Sequence, residues 1–242
     1  MDLYITGGDI AVRCTGGEGS EGIESKAAMV ISGGTVQTSC YDDCINAKSS
    51  LSISGGKVYA YSSNNDGIDS NGSLSISNGV VVASGTNTPE EGIDCDQNNF
   101  SITGGSIIGV GGASSTPTAN SCTQPSVIYG GSGTQGTLIT LVDGNGVHVL
   151  SYTVPRTYSQ MTMLVSSPLL STGNTYYLYT GATLTGTTAF HGLQTEGSLS
   201  AAGSSLGSTT LSSMVTTLGS VGGGMGDPMG GGNIPGGPGG RR

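Results

Sequence analysis

Four short stretches place paired oxygen-bearing side chains at a regular spacing: Glu21-Gly22-Ile23-Glu24, Asp43-Cys44-Ile45-Asn46, Asp66-Gly67-Ile68-Asp69 and Glu91-Gly92-Ile93-Asp94. Each reads acid, small residue, isoleucine, then acid or amide. They recur at intervals of 22, 23 and 25 residues, counted from Glu21 to Asp43 to Asp66 to Glu91. A period of this length is the mark of stacked repeats. If equivalent turns lie over one another, Glu21, Asp43, Asp66 and Glu91 form one column and Glu24, Asn46, Asp69 and Asp94 a second beside it. Carboxylates stacked about 4.8 Å apart repel by about 1 kcal/mol in water and by about 3 to 4 kcal/mol at a partly buried surface. Such columns call for cations.

Calcium suits this donor set, because it accepts six to eight oxygens from carboxylates, amides, carbonyls and water in a flexible geometry. Four coils leave three gaps between acidic turns, room for up to three ions. Zinc is disfavoured, since the two His are isolated and no paired C-x-x-C pattern occurs. The plainer reading is that Asp, Asn and Glu occupy solvated turns. The register held over four coils favours calcium, with Glu21, Glu24, Asp43, Asn46, Asp66, Asp69, Glu91 and Asp94 as its ligands.

The elements that must position these turns follow from the strict alternation of segments such as Leu51-Ser52-Ile53-Ser54 and Leu74-Ser75-Ile76-Ser77. Aligned coils give four inward columns. They are Leu3, Met29, Leu51, Leu74 and Phe100; Ile5, Ile31, Ile53, Ile76 and Ile102; Ile10, Val36, Val58, Val81 and Ile107; and, within the acidic turn, Ile23, Ile45, Ile68 and Ile93. Short strands joined by Gly-Gly or Asn-Gly bends around such columns describe an all-β chain, a parallel β-helix over residues 1–112. No leucine-rich-repeat signature competes. Residues 113–196 read as an antiparallel β cap on the open end of the solenoid. Within the cap, Asp143-Gly144-Asn145-Gly146 joins a hairpin, and further strands fall near 160–165 and 175–180. Residues 197–242 are rich in Gly, Ser and Thr and read as a mostly disordered tail, with a weak helical alternative between Leu199 and Leu218.

Composition narrows the partners. Apolar content of 34% with two Phe and no Trp is poor for a conventional core, whereas a solenoid needs less. A net charge of −9 with seven Lys and Arg argues against nucleic acid. No apolar run is long enough to span a membrane, and residue 1 falls partway through a repeat. Five cysteines leave at least one unpaired. Cys14 and Cys40 are equivalent on neighbouring coils, within reach of a disulfide, although small buried thiols fit equally well.

The Asp-Gly-Ile-Asp-Ser-Asn-Gly-Ser-Leu-Ser-Ile-Ser-Asn-Gly stretch at 66–79 and its neighbours resemble a bacterial carbohydrate-binding domain family. That family forms secreted, calcium-binding, right-handed parallel β-helices related in fold to pectate lyases. The resemblance implies a noncatalytic, extracellular or cell-surface module for cellulose- or pectin-type polysaccharide, with calcium on the acidic turns. Two departures stand out: Cys44 replaces the usual glycine and Asn46 an acid. Lys57, Tyr59 and Tyr61 share one outward strand face and offer a sugar platform. Two alternatives remain: a calcium-dependent polysaccharide lyase, for which Lys26, Lys48 and Arg13 are the candidate bases, and a calcium-stiffened surface scaffold.

Overall fold

The computed structural model describes residues 1–221. Three parallel sheets run along a solenoid, each receiving one short strand per coil. The first face stacks Leu3–Ile5, Ala28–Ile31, Ser50–Ile53, Ser73–Ile76 and Phe100–Ile102. The second stacks Asp9–Arg13, Thr35–Cys40, Lys57–Ser62, Val80–Ser84 and Ser106–Gly111. The third, made from the acidic turns, stacks Ile23–Ser25, Ile45–Ala47, Ile68–Ser70 and Ile93–Cys95.

The register is that of the hydrophobic columns. Leu3 pairs with Met29, Met29 with Leu51, Leu51 with Leu74 and Leu74 with Phe100. Ile23, Ile45, Ile68 and Ile93 pair in sequence along the third face. From the second coil onward these side chains are almost completely excluded from water. A buried Ile or Leu contributes about 1.5 to 3 kcal/mol, so each coil is held by the shelf of side chains above and below it. The corner between first and second faces needs glycine. Gly34 has φ of 85°, and a Cβ there would lie 2.5 Å from the Gly8 carbonyl oxygen.

The C-terminal unit does more than close the end. Tyr158–Ser166 adds antiparallel to Ser106–Gly111, and Ser126–Gly133 and then Val215–Gly219 continue the second sheet to eight strands. Inward residues Ile128 and Leu164 complete the solenoid core. A second sheet of five strands, including the expected hairpin Leu138–Asp143 and His148–Thr153, packs over the outer side of the second face. Val82, Ile108, Tyr129, Met163 and Tyr152 form a second core in that layer. The expected antiparallel cap closes the open end, and it also covers a flank of the solenoid.

The stretch from 197 is also revised. Ser198–Ala201, Ser204–Thr210 and Val215–Gly219 are strands, and the helical alternative does not form. Ser, Thr and Gly are poor helix formers, while existing edges at Thr175–Thr180 and Ser126–Gly133 supply partners for their backbone groups. The expected disorder of the last twenty or so residues lies outside the described residues. Among the described residues no helix is long and apolar enough to cross a membrane.

Candidate functional site

The acidic turns are brought together as their spacing predicts. Glu24, Asn46, Asp69 and Asp94 are register partners along the third face. The other column is joined through its backbone: Gly22 N–H donates to Asp43 O at 2.9 Å, Cys44 N–H to Asp66 O at 3.3 Å and Gly67 N–H to Glu91 O at 3.2 Å. Side chains then bridge successive coils. Asp43 Oδ1 accepts from Asp66 N–H at 3.2 Å, and Asp66 Oδ1 accepts from Glu91 N–H. Asp43 and Asp66 each thus hold the turn above.

These groups are less solvated than outward-facing turn residues would be. Asp43, Asn46, Asp66, Asp69 and Glu91 are all buried, Asp69 being 7% exposed. Burial pushes the Asp66 carboxyl up to about 9, aided by the charges of Asp43, Asp94 and Glu90 and opposed by the Glu91 amide. Asp69 is raised to about 8, first by burial and then by Asp43, Asp94 and Asp96. Asp43, Asp94 and Glu21 are raised by burial as well.

Amides and hydroxyls relieve part of this stress. Asn46 Nδ2 donates to Asp43 Oδ2 at 3.0 Å and to Asp69 Oδ2 at 2.9 Å. Asn71 donates to Asp69 Oδ2 at 2.6 Å, and Ser115 Oγ to Asp94 Oδ1 at 2.9 Å. Asp69 Oδ1 is buried without a partner, as is Glu21 Oε2. Glu24 stands apart, exposed and paired with Lys26. Among the described residues, no three Asp, Glu, His or Cys side chains converge on one cation position. Asp43 of the second turn and Asp69 of the third are instead bridged by the Asn46 amide.

The expected sugar platform is largely occupied by the protein itself. The His191 ring lies parallel to Tyr59 with centroids 3.6 Å apart and 7° between planes. Its Nε2 is 2.6 Å from Gln37 Oε1. The Arg156 guanidinium sits 4.3 Å from the Tyr61 ring centroid and donates to the Ser62 and Ser63 carbonyls, while Lys57 lies 5.7 Å from the Phe190 centroid. Lys57, Tyr59 and Tyr61 therefore meet the flanking unit at its edge rather than presenting three open faces. His191, Phe190 and Arg156 were not identifiable from the repeat. They lie outside it, and a lone His beside a glycine in a turn carries no periodic signal.

All five cysteines are free thiols, so the expected Cys14–Cys40 cross-link is not formed. The register that suggested it holds: Arg13 pairs with Ser39, and Cys14 N–H donates to Ser39 O at 3.0 Å. Cys14 Sγ instead donates to Glu21 O at 3.0 Å. Cys44, in the glycine position of the acidic turn, is fully buried, and its thiol is pushed up to about 11 by burial.

With the acidic stack and the covered strand face in view, comparison with known proteins adds one result. A family model described as carbohydrate-binding domain-containing protein matches residues 1–67. The match takes in the first two acidic turns, Asp66 of the third, and the Lys57, Tyr59 and Tyr61 strand. No curated protein and no solved structure matches the chain.

Proposed function

We propose that this chain is a noncatalytic carbohydrate-binding module, secreted or displayed at the cell surface, whose solenoid is stiffened by calcium along its acidic turns. The observation that carries the glycan reading is the family match over the repeat itself. It is reinforced by a fold that lines up polar strand faces over several coils, a surface suited to an extended polymer. Cellulose- and pectin-type chains are the polysaccharides proposed.

The chemistry of the donors fits calcium. They are oxygen donors throughout, hard and flexible, and Asp69 Oδ1 is a buried acceptor with nothing to accept from. Asp43, Asp66, Asp69, Asp94, Glu21 and Glu91 would hold the ions, with Glu24 at the exposed end of its column. Asn46 would contribute by turning its carbonyl oxygen toward the acids that its nitrogen now faces. A bound divalent ion supplies the positive charge that lets these carboxyls ionise together. The residues themselves fix the spacing of the coils, through the side-chain-to-backbone bonds from Asp43 and Asp66.

The test is retention of the full chain on insoluble cellulose and its retardation in pectin-containing gels, each with calcium and with chelator. Retention that depends on calcium is the expected outcome. Calcium-raised melting without retention on either glycan would leave only a stiffened scaffold. Unsaturated product appearing in the pectin assay would replace the binding module with a lyase.

A further inference from the structure

We propose that the groove where the flanking unit meets the second solenoid face, on either side of the Tyr59–His191 stack, is the glycan site, and that it takes an acidic, uronate-bearing chain. This rests on the carbohydrate-binding reading and adds to it a location, further contact residues and a choice of the acidic over the neutral polymer.

Two open cavities share Tyr59 and His191. One, of about 230 Å³, is floored by Ala11, Gln37 and Ser39 of the second face. The other, of about 330 Å³, lies against Gln135, Thr153 and Pro155 of the flanking unit. Individually they are at or below the size of an ordinary ligand pocket, but as two parts of a trough crossing one aromatic stack they suit a polymer that enters and leaves. Their polar groups are amides and hydroxyls, the types that exchange hydrogen bonds with sugar hydroxyls. At the centre stand the two aromatic rings, His191 exposed and Tyr59 half-buried. An aromatic face gives a pyranose ring its apolar contact.

His191 is fixed for this position. It has φ of 47°, is followed by Gly192 at φ of 87°, and is held between the Tyr59 face, the Phe190 edge at 4.8 Å and Gln37. A ring so constrained loses little freedom when a ligand settles on it.

Charge selects the class. Neither cavity is lined by a carboxylate among the described residues, although the chain has sixteen acids and a net charge of −9. Two of its four arginines adjoin residues of the trough without lining either cavity. Arg13 is exposed and in register with Ser39, which is in register with Tyr61, and Arg156 lies over the Tyr61 ring and adjoins Pro155. Guanidinium groups pair with carboxylates in a planar, two-bond geometry, so a uronate entering here finds in the exposed Arg13 a partner that a neutral hexose does not use.

The test is affinity electrophoresis of the full chain, with calcium present, in gels containing polygalacturonate or a soluble neutral cellulose derivative. Arg13→Ala, Gln37→Ala and Ser39→Glu are compared with wild type, and melting temperature is followed for each. The expected result is retardation by polygalacturonate that weakens with added salt. Each alanine variant should lower affinity about tenfold, and Ser39→Glu should abolish it, with melting unchanged. His191→Ala should lose affinity for both polymers and lose more than Gln37→Ala, which removes the hydrogen bond while leaving the aromatic stack. If wild type is retarded and none of the variants differs, the site is elsewhere and the binding-module reading survives. If the neutral polymer is bound more tightly, the class is wrong. If no polymer is bound, both readings fall.

Discussion

Asn46 Nδ2 stands 2.9 Å from Asp69 Oδ2, an amide from one coil donating to an acid of the next. The same nitrogen donates to Asp43. Asn46 occupies the position held by an acid in the other three coils, and the substitution puts a donor where a fourth acid would add repulsion.

Asn46→Asp should therefore make the protein more dependent on cations. In chelator the variant loses two hydrogen bonds and gains a charge among buried acids, costing about 2 to 4 kcal/mol. In calcium most of that loss should be recovered. Thermal melting of both proteins in each condition checks this; a variant whose melting shifts equally in chelator and calcium would separate Asn46 from any ion site.

The raised carboxyls predict an unusual pH dependence in chelator. Asp66 is pushed up to about 9 and Asp69 to about 8 in the folded chain, against an ordinary value near 4 when unfolded. An acid held protonated by the fold contributes stability that is complete below its unfolded value and is lost as pH rises through its folded value. Stability without cations should thus fall from about pH 4 to about pH 9, where ordinary paired carboxylates would make it rise from acid toward neutrality. Denaturant midpoints across that range, in chelator and in calcium, provide the measurement.

Gly34→Ala should destabilise the solenoid corner by about 1 to 3 kcal/mol, since φ of 85° and a Cβ 2.5 Å from the Gly8 carbonyl oxygen both oppose a side chain. Gly7→Ala, where nothing lies within 4 Å, is the matched control and should be nearly neutral. Equal losses in the two variants would count against the corner geometry.

Thiol labelling under native conditions should modify Cys14 alone. Cys14 is partly exposed, and Cys40, Cys44, Cys95 and Cys122 are buried. Burial also raises the Cys44 thiol to about 11, leaving little thiolate at neutral pH. Mass spectrometry of alkylated protein should show one adduct before unfolding and five after; rapid native labelling of Cys44 would mean that the second coil opens.

The amino-acid sequence by itself determined the solenoid. In a stacked coil, residues one period apart become neighbours, so the period of the acids and the alternation of Leu51, Ile53, Val58 and Ile68 contain the register directly. It did not reveal that Asp66 and Asp69 are buried, because alternation tells which way a side chain points, not what else shields it. Tertiary structure alone decided where the flanking unit sits. The contact of His191 with Gln37 spans 154 residues and joins a repeat to a segment that shares no period with it. The strands at Ser204–Thr210 and Val215–Gly219 depended likewise on edges offered by distant parts of the chain, which gave weakly patterned Ser, Thr and Gly residues their partners.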